Sequence, residues 1–217
     1  MPLKVFLADD HAVVREGLRF ILEAQGDIVV VGEATNGRQA VQKVQQLNPD
    51  VVVMDIAMPE LNGIEATVQI RETCPSTEVV ILSMYSTSEQ VFQALQAGAL
   101  GYVLKEAAGE EIVKAVRVVH GGRRYLCQQV AEIAIDNYVR RRQASQDRSP
   151  LERLSSRERE ILQLVVEGKT SAEIAEILYI SPKTVETYRS RLMHKLGISD
   201  IPGLVKFAIQ HGLTSLK

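Results

Sequence analysis

Carboxylate, hydroxyl and ammonium side chains close successive short apolar runs of this chain: Asp9 and Asp10, Asp55, Ser83 and Lys105. Three carboxylates brought close together raise one another's pKa unless a cation neutralises them. A hard divalent ion such as Mg²⁺ suits that set, because it takes carboxylate, carbonyl, water and phosphate oxygens and leaves room for a phosphoryl group. Phosphoryl transfer then needs little beyond positioning and charge neutralisation, with Asp55 as nucleophile and Lys105 as a point charge. The Ser83 hydroxyl is placed to donate to a phosphoryl oxygen. Taken singly each residue has a plainer reading, Asp9 or Asp10 as a helix cap and Lys105 as a surface cation. All five at the ends of apolar runs favour a site.

The runs that position them are Leu3–Ala8, Ile28–Glu33, Val51–Asp55, Glu78–Leu82 and Leu100–Leu104, short, aliphatic and apolar nearly throughout. Such runs are expected of parallel strands covered by helices on both faces. Between them, apolar residues three and four apart predict helices over Val13–Ala24, Ala40–Leu47, Ile64–Thr73, Glu89–Ala97 and Glu110–His120. Asn36-x-x-Gln39, Asn62-x-x-Glu65 and Thr87-x-x-Gln90 supply capping patterns. The result is an α/β flavodoxin-like (βα)5 unit. With strand order 2-1-3-4-5, the first and third strands are neighbours, so the carboxylates converge at the switch point outside the strand ends.

At 217 residues, 46% hydrophobic and 24% charged, the chain has ordinary globular composition, and no uncharged apolar run approaches a membrane span. The N-terminus lacks a signal-peptide core, and a cytoplasmic protein with no membrane partner is expected. Cys74 and Cys127 form no paired motif and read as incidental. Residues 1–126 carry 11 basic against 16 acidic side chains, whereas residues 127–217 carry 14 against 11, so the sign of the charge changes along the chain.

The strand signal stops at Cys127. Val130, Ile133, Ala134 and Tyr138 share one face of an expected helix. It runs into Arg140-Arg141-Arg142, either a solvated linker face or a phosphate-contacting patch, and then the polar stretch Gln143–Pro150. After Leu151 all is helical: Ser156–Glu167, Ser171–Leu178, Ser181–Leu196 and Asp200–His211. The middle two read as a helix-turn-helix, with Thr170-x-x-Glu173 opening the first, Tyr179-Ile180 as the turn and Ser181-Pro182 starting the second. At 100° per residue, Val185, Tyr188, Leu192 and Leu196 share one face and Lys183, Thr187, Ser190 and His194 the opposite one. Glu186 and Arg191 flank the polar face, and Arg189 and Lys195 lie near its borders. That distribution suits a helix in the major groove and also suits a solvated helix. Leu204, Phe207 and Ala208 on the last helix suit a dimer surface and an internal core equally. Gly168-Lys169-Thr170 imitates the end of a nucleotide-binding loop, but position 163 is Gln and no strand precedes it.

Residues 1–126 resemble a two-component receiver domain in Asp9-Asp10, Asp55 with Met58-Pro59 and Gly63, Ser83, Tyr102 and Lys105. The resemblance implies that a sensor histidine kinase phosphorylates Asp55, and that Asp9, Asp10, Asp55 and the Ala57 main-chain carbonyl hold Mg²⁺. It also implies that Ser83 and Tyr102 form a switch pair; read by itself, Tyr102 also suits a half-buried core aromatic. Ala57 and Tyr85 occupy positions where receivers vary. Many receivers place proline after the lysine, whereas here Glu106 follows Lys105, and a cis peptide without proline costs about 2.5–4 kcal/mol.

Residues 151–217 resemble a LuxR-type helix-turn-helix in Leu154-Ser155-x-Arg157-Glu158-x-Glu160-Ile161-Leu162, Gly168, Glu173-Ile174-Ala175, Ser181-x-Lys183-Thr184-Val185 and Lys195-Leu196-Gly197. With a helical linker over 127–150, the whole chain resembles the NarL/FixJ family of response regulators. That resemblance implies base contacts from Glu186, Thr187 and Ser190, and backbone contacts from Lys183, Thr184, Arg191 and Lys195. Glu186 departs from a basic or neutral contact and suits a cytosine amino group. The implied function is a non-enzymatic, phosphorylation-controlled regulator that binds two-fold-symmetric double-stranded DNA as a homodimer. The alternative is a regulator that binds DNA without phosphorylation. An aspartyl phosphatase fits less well, because such enzymes place a second Asp two residues after the nucleophile, where this chain has Ala57.

Overall fold

The computed structural model describes residues 1–84, 87–134, 150–211 and 213, and the chain falls into two compact units, Met1–Ser145 and Gln146–Lys217. Tyr85, Tyr138, the Arg140–Arg142 run and residues 143–149 of the expected linker lie outside the described residues.

In the first unit, strands β1 (Leu3–Ala8), β2 (Ile28–Ala34), β3 (Val51–Asp55), β4 (Glu78–Ser83) and β5 (Gly101–Leu104) alternate with helices. The helices are α1 (Ala12–Glu23), α2 (Gly37–Leu47), α3 (Gly63–Thr73), α4 (Ser88–Gln96) and α5 (Ala108–His120). The expected order 2-1-3-4-5 is present and every pairing is parallel. A sixth strand, β6 (Tyr125–Leu126), extends the sheet beside β5. Two residues are too few to show a period, which is why the run is silent in the sequence. The amides of Tyr125 and Cys127 reach the carbonyls of Leu100 and Tyr102 at 2.9 and 3.2 Å.

Successive side chains of each strand enter opposite layers. Phe6, Val52, Met54, Ile81 and Tyr102 face α2, α3 and α4, while Val5, Leu7, Val53, Leu82 and Val103 face α1 and α5. A sixth helix, α6, follows over 128–134 and inserts Val130 into the first of these layers. Burial of each such aliphatic side chain contributes roughly 1.5–3 kcal/mol, enough to make the sheet a rigid base for its carboxyl-end loops. Both cysteines are buried and free.

The second unit is all-α. After a 3-10 turn at Pro150–Arg153 come α7 (Ser156–Val166), α8 (Ser171–Leu178), α9 (Pro182–Leu196) and α10 (Ile201–Gln210). Full capping boxes, Ser155 with Glu158 and Thr170 with Glu173, start α7 and α8. Thr170 therefore has a structural task, consistent with setting the Gly168-Lys169-Thr170 resemblance aside. Leu151, Ile161, Leu162, Ile174, Leu178, Val185, Leu192, Leu204 and Ala208 form one core. On α10, Leu204 and Ala208 are thus internal and Phe207 packs partly against them, while Ile201 stays exposed. Among the described residues no helix is long and apolar enough to cross a membrane.

Candidate functional site

Asp9 and Asp10 immediately follow β1, Asp55 ends β3, Ser83 ends β4 and Lys105 follows β5, so the fold brings the first set of residues to the carboxyl ends of the inner strands. Lys105 Nζ lies 2.7 Å from Asp9 Oδ2 and 2.9 Å from Asp55 Oδ2, one cation holding two buried carboxylates. Burial pushes the Asp55 carboxyl up to about 6; the Lys105 charge opposes this, and the Asp9 carboxylate adds to it. Burial also acts to lower the Lys105 ammonium, but Asp55 and Asp9 outweigh it and hold Lys105 above its ordinary value. The backbone N–H of Ala57 donates to the Asp55 carboxylate.

The loop after β3 is shaped by Asn62, which caps α3 by accepting from the amides of Ile64 and Glu65 at 3.0 and 2.9 Å. Tyr102 is fully buried, and its hydroxyl is hydrogen-bonded to Ser83. Burial raises the Tyr102 pKa, with the Ser83 bond pulling the other way. After Lys105 the chain enters a 3-10 turn, Lys105–Ala107, that runs directly into α5, and no cis peptide occurs among the described residues. Glu106 is accommodated without one.

The second set lies on α9. Ser181 caps it by accepting from the Thr184 amide at 3.1 Å, and Pro182 occupies its first turn. Val185 and Leu192 are buried, whereas Lys183, Glu186, Thr187, Ser190, Arg191, His194 and Lys195 are exposed, as the helical spacing predicts. Thr184 is half-buried and its hydroxyl bonds to Ser181. The Thr187 hydroxyl donates to the Lys183 carbonyl at 3.0 Å, and Arg189 Nη1 to Ser171 Oγ at 3.0 Å. Lys195 Nζ lies 2.7 Å from Oε2 of the buried Glu158. Any phosphate contact by Lys195 competes with that pair.

Residues 5–117 match the family model described as the response regulator receiver domain, and residues 152–208 match that of bacterial regulatory proteins of the luxR family. The oxygen regulatory protein NreC of Staphylococcus carnosus is 41% identical over 214 residues, covering 97% of this chain and 99% of that protein. The chain belongs to the LuxR-type two-component response regulators. Among solved structures, the response regulator ChrA of a heme-sensing two-component system is 37% identical with a TM-score of 0.52, covering 98% of each chain. A complex of the response regulator RcsB with DNA is 26% identical with a TM-score of 0.58, covering 95% of this chain and 98% of that one.

This response regulator also has site residues that the sequence reading did not single out. His11 Nδ1 lies 3.1 Å from Asp9 Oδ1 and 2.8 Å from Asp10 Oδ1. Arg15 donates through Nη1 to the Asp9 carbonyl at 2.8 Å and through Nε to Glu33 at 2.8 Å, tying the acidic loop to β2. His11 adjoins the acidic pair, a signal that was visible. Arg15 gave none, since an arginine one turn into a helix resembles any surface cation.

Proposed function

We propose that this response regulator is a transcription regulator switched by phosphorylation of Asp55 by a sensor histidine kinase. The observation that carries the reading is the placement of Asp55, 3% exposed, at the end of β3 with Lys105 Nζ 2.9 Å away and Asp9 and Asp10 beside it. Receiver domains bind Mg²⁺ at such an acidic pocket, and the donor set here, carboxylates within 4.8 Å of one another, is hard and anionic as that ion requires. Asp9, Asp10, Asp55 and the Ala57 carbonyl would hold it. When bound, Mg²⁺ supplies charge neutralisation of the phosphoryl oxygens.

An Asp55 carboxylate oxygen attacks phosphorus, the bond from phosphorus to the donor imidazole nitrogen breaks, and that nitrogen keeps the electron pair. Lys105 remains as a fixed charge on the acyl phosphate. Ser83 releases or redirects its bond with Tyr102 to donate to the new phosphoryl oxygen, which shifts the Tyr102 ring and the surface around β5. The phosphate changes the equilibrium only by binding one arrangement better than the other.

Residues 1–126 would form the receiver, 127–150 the link and 151–217 the DNA reader. Phosphorylation favours a homodimer that presents two copies of α9 to paired half-sites in double-stranded DNA, so the operator has two-fold symmetry. Glu186, Thr187 and Ser190 read base edges; Lys183, Thr184, Arg191 and Lys195 hold the backbone. The exposure of the polar face of α9 supports this, as does the DNA-bound RcsB relative.

The test is incubation with a small phosphodonor and Mg²⁺, then borohydride trapping and peptide mass spectrometry. A label on Asp55, absent from Asp55→Asn, is expected. A label elsewhere, or none, contradicts the reading.

A further inference from the structure

Helices α2, α3, α4, α7, α8, α9 and α10 are each started by an Asn, Thr, Ser or Asp whose side chain accepts a first-turn amide. Two of the described helices start without a side-chain cap: α5, where the N-cap is Ala107, and α1, where it is His11. Of the two, only His11 has a side chain that can ligate, and it adjoins the acidic pair. The His11 side chain is 65% exposed, and its Nδ1 is turned onto both members of the acidic pair.

His11 Nδ1 is hydrogen-bonded to Asp9 Oδ1, and the separations in this cluster are also those of adjacent ligands on one metal ion. With metal–ligand bonds of about 2.1 Å, neighbouring donors of an octahedron lie about 3.0 Å apart and opposite donors about 4.2 Å. His11 Nδ1 is 2.8 Å from Asp10 Oδ1 and 3.1 Å from Asp9 Oδ1. One ligand atom from each of Asp9, Asp10, His11 and Asp55 lies within 4.8 Å of all the others, so a small contraction would bring the set onto one ion. The two oxygens of Asp9 are divided between functions, Oδ2 to Lys105 and Oδ1 to His11. The His11 amide also donates to Asp9 Oδ1 at 2.9 Å, which fixes the residue at its main chain as well.

We infer that His11 Nδ1 is an additional side-chain ligand of this centre, giving it a nitrogen donor and a preference for divalent transition metals that carboxylates alone would not supply. The inference rests on the reading of the acidic pocket as a metal site. Imidazole binds Mn²⁺, Co²⁺ and Ni²⁺ with affinity rising along that series, whereas Mg²⁺ gains little from it.

The test is calorimetric titration of the full chain with Mg²⁺ and, separately, with Ni²⁺, for wild type, His11→Ala, His11→Asn and Asp10→Asn. Pulsed electron paramagnetic resonance of the Mn²⁺-loaded protein is the spectroscopic readout. His11→Asn restores a capping side chain and so separates folding from ligation. Loss of the imidazole is expected to weaken Ni²⁺ binding by about tenfold or more while changing Mg²⁺ binding by less than about twofold. The nitrogen coupling to Mn²⁺ disappears in both His11 variants. Equal effects on the two metals, unchanged Ni²⁺ binding, or nitrogen coupling that survives in His11→Ala overturns the inference while leaving the acidic site standing. Absence of Mg²⁺ binding to wild type overturns both the inference and the metal reading beneath it.

Discussion

Gly63 lies so close to Asp55 that a Cβ on it would stand 1.9 Å from the Asp55 carbonyl oxygen. The first residue of α3 is packed directly against the backbone of the phosphoacceptor, and the Gly63 amide donates to the Ile56 carbonyl at 2.9 Å. The loop between them is therefore short and tightly held, and the position of the Asp55 carboxylate depends on a residue eight places further on that carries no chemistry.

Gly63→Ala is expected to destabilise the first unit by about 1–3 kcal/mol, since main chain rather than a movable side chain must yield. Thermal unfolding followed by circular dichroism measures it. Borohydride-trapped label on Asp55 should fall in parallel; an unchanged melting temperature would show that the loop is slack.

Without a divalent ion, the Asp55 carboxyl should titrate at about 6. A cation among the same carboxylates favours the ionised form, so saturating Mg²⁺ should move the midpoint downward. Carbon-13 shifts of the labelled carboxyl groups report this directly. A midpoint indifferent to Mg²⁺ would place the ion elsewhere.

Asp55 is also expected to cost the folded chain stability. Its folded pKa, about 6, lies above the ordinary 3.8, so between those values the native state keeps a proton that the unfolded state releases. Stability therefore falls as pH rises through that window, and the full cost is present above it. Asp55→Asn removes the charge. Relative to wild type it should gain on the order of 3 kcal/mol at pH 7 and nothing near pH 3. Urea denaturation at both pH values checks the difference, and a gain that is flat with pH would contradict it.

The acidic site was legible because the strand-and-helix alternation dictates where strands end, and Asp55, Ser83 and Lys105 stand at or next to those ends. Tyr102 was legible only through resemblance, since a buried aromatic in a strand looks the same whether or not it moves. β6 was not legible, because it borrows its hydrogen bonds from β5 and has no period of its own. Helical spacing separated the faces of α9 correctly, yet it could not show that Lys195 is paired with a carboxylate 37 positions earlier in the chain.

That pairing divides the cations of α9. Lys183→Ala and Arg191→Ala should each reduce the slope of log affinity against log salt by about 1, at little cost to stability. Lys195→Met leaves the buried Glu158 carboxylate with its Ser155 capping bonds but no cation, and should destabilise the second unit by roughly 1–3 kcal/mol. Fluorescence anisotropy across a salt series and thermal unfolding distinguish the two behaviours. A Lys195 variant with wild-type stability and a reduced slope would make it a simple phosphate contact.

The central claim joins charge at Asp55 to the reading of DNA by α9, and the most direct measurement is selection from a random-sequence duplex pool with and without a small phosphodonor and Mg²⁺. The account predicts enrichment of a two-fold-symmetric site that wild type binds more tightly when phosphorylated, and that Asp55→Asn binds equally weakly in both conditions. Equal binding by wild type with and without the phosphodonor would contradict it and leave a DNA-binding protein whose receiver serves some other end.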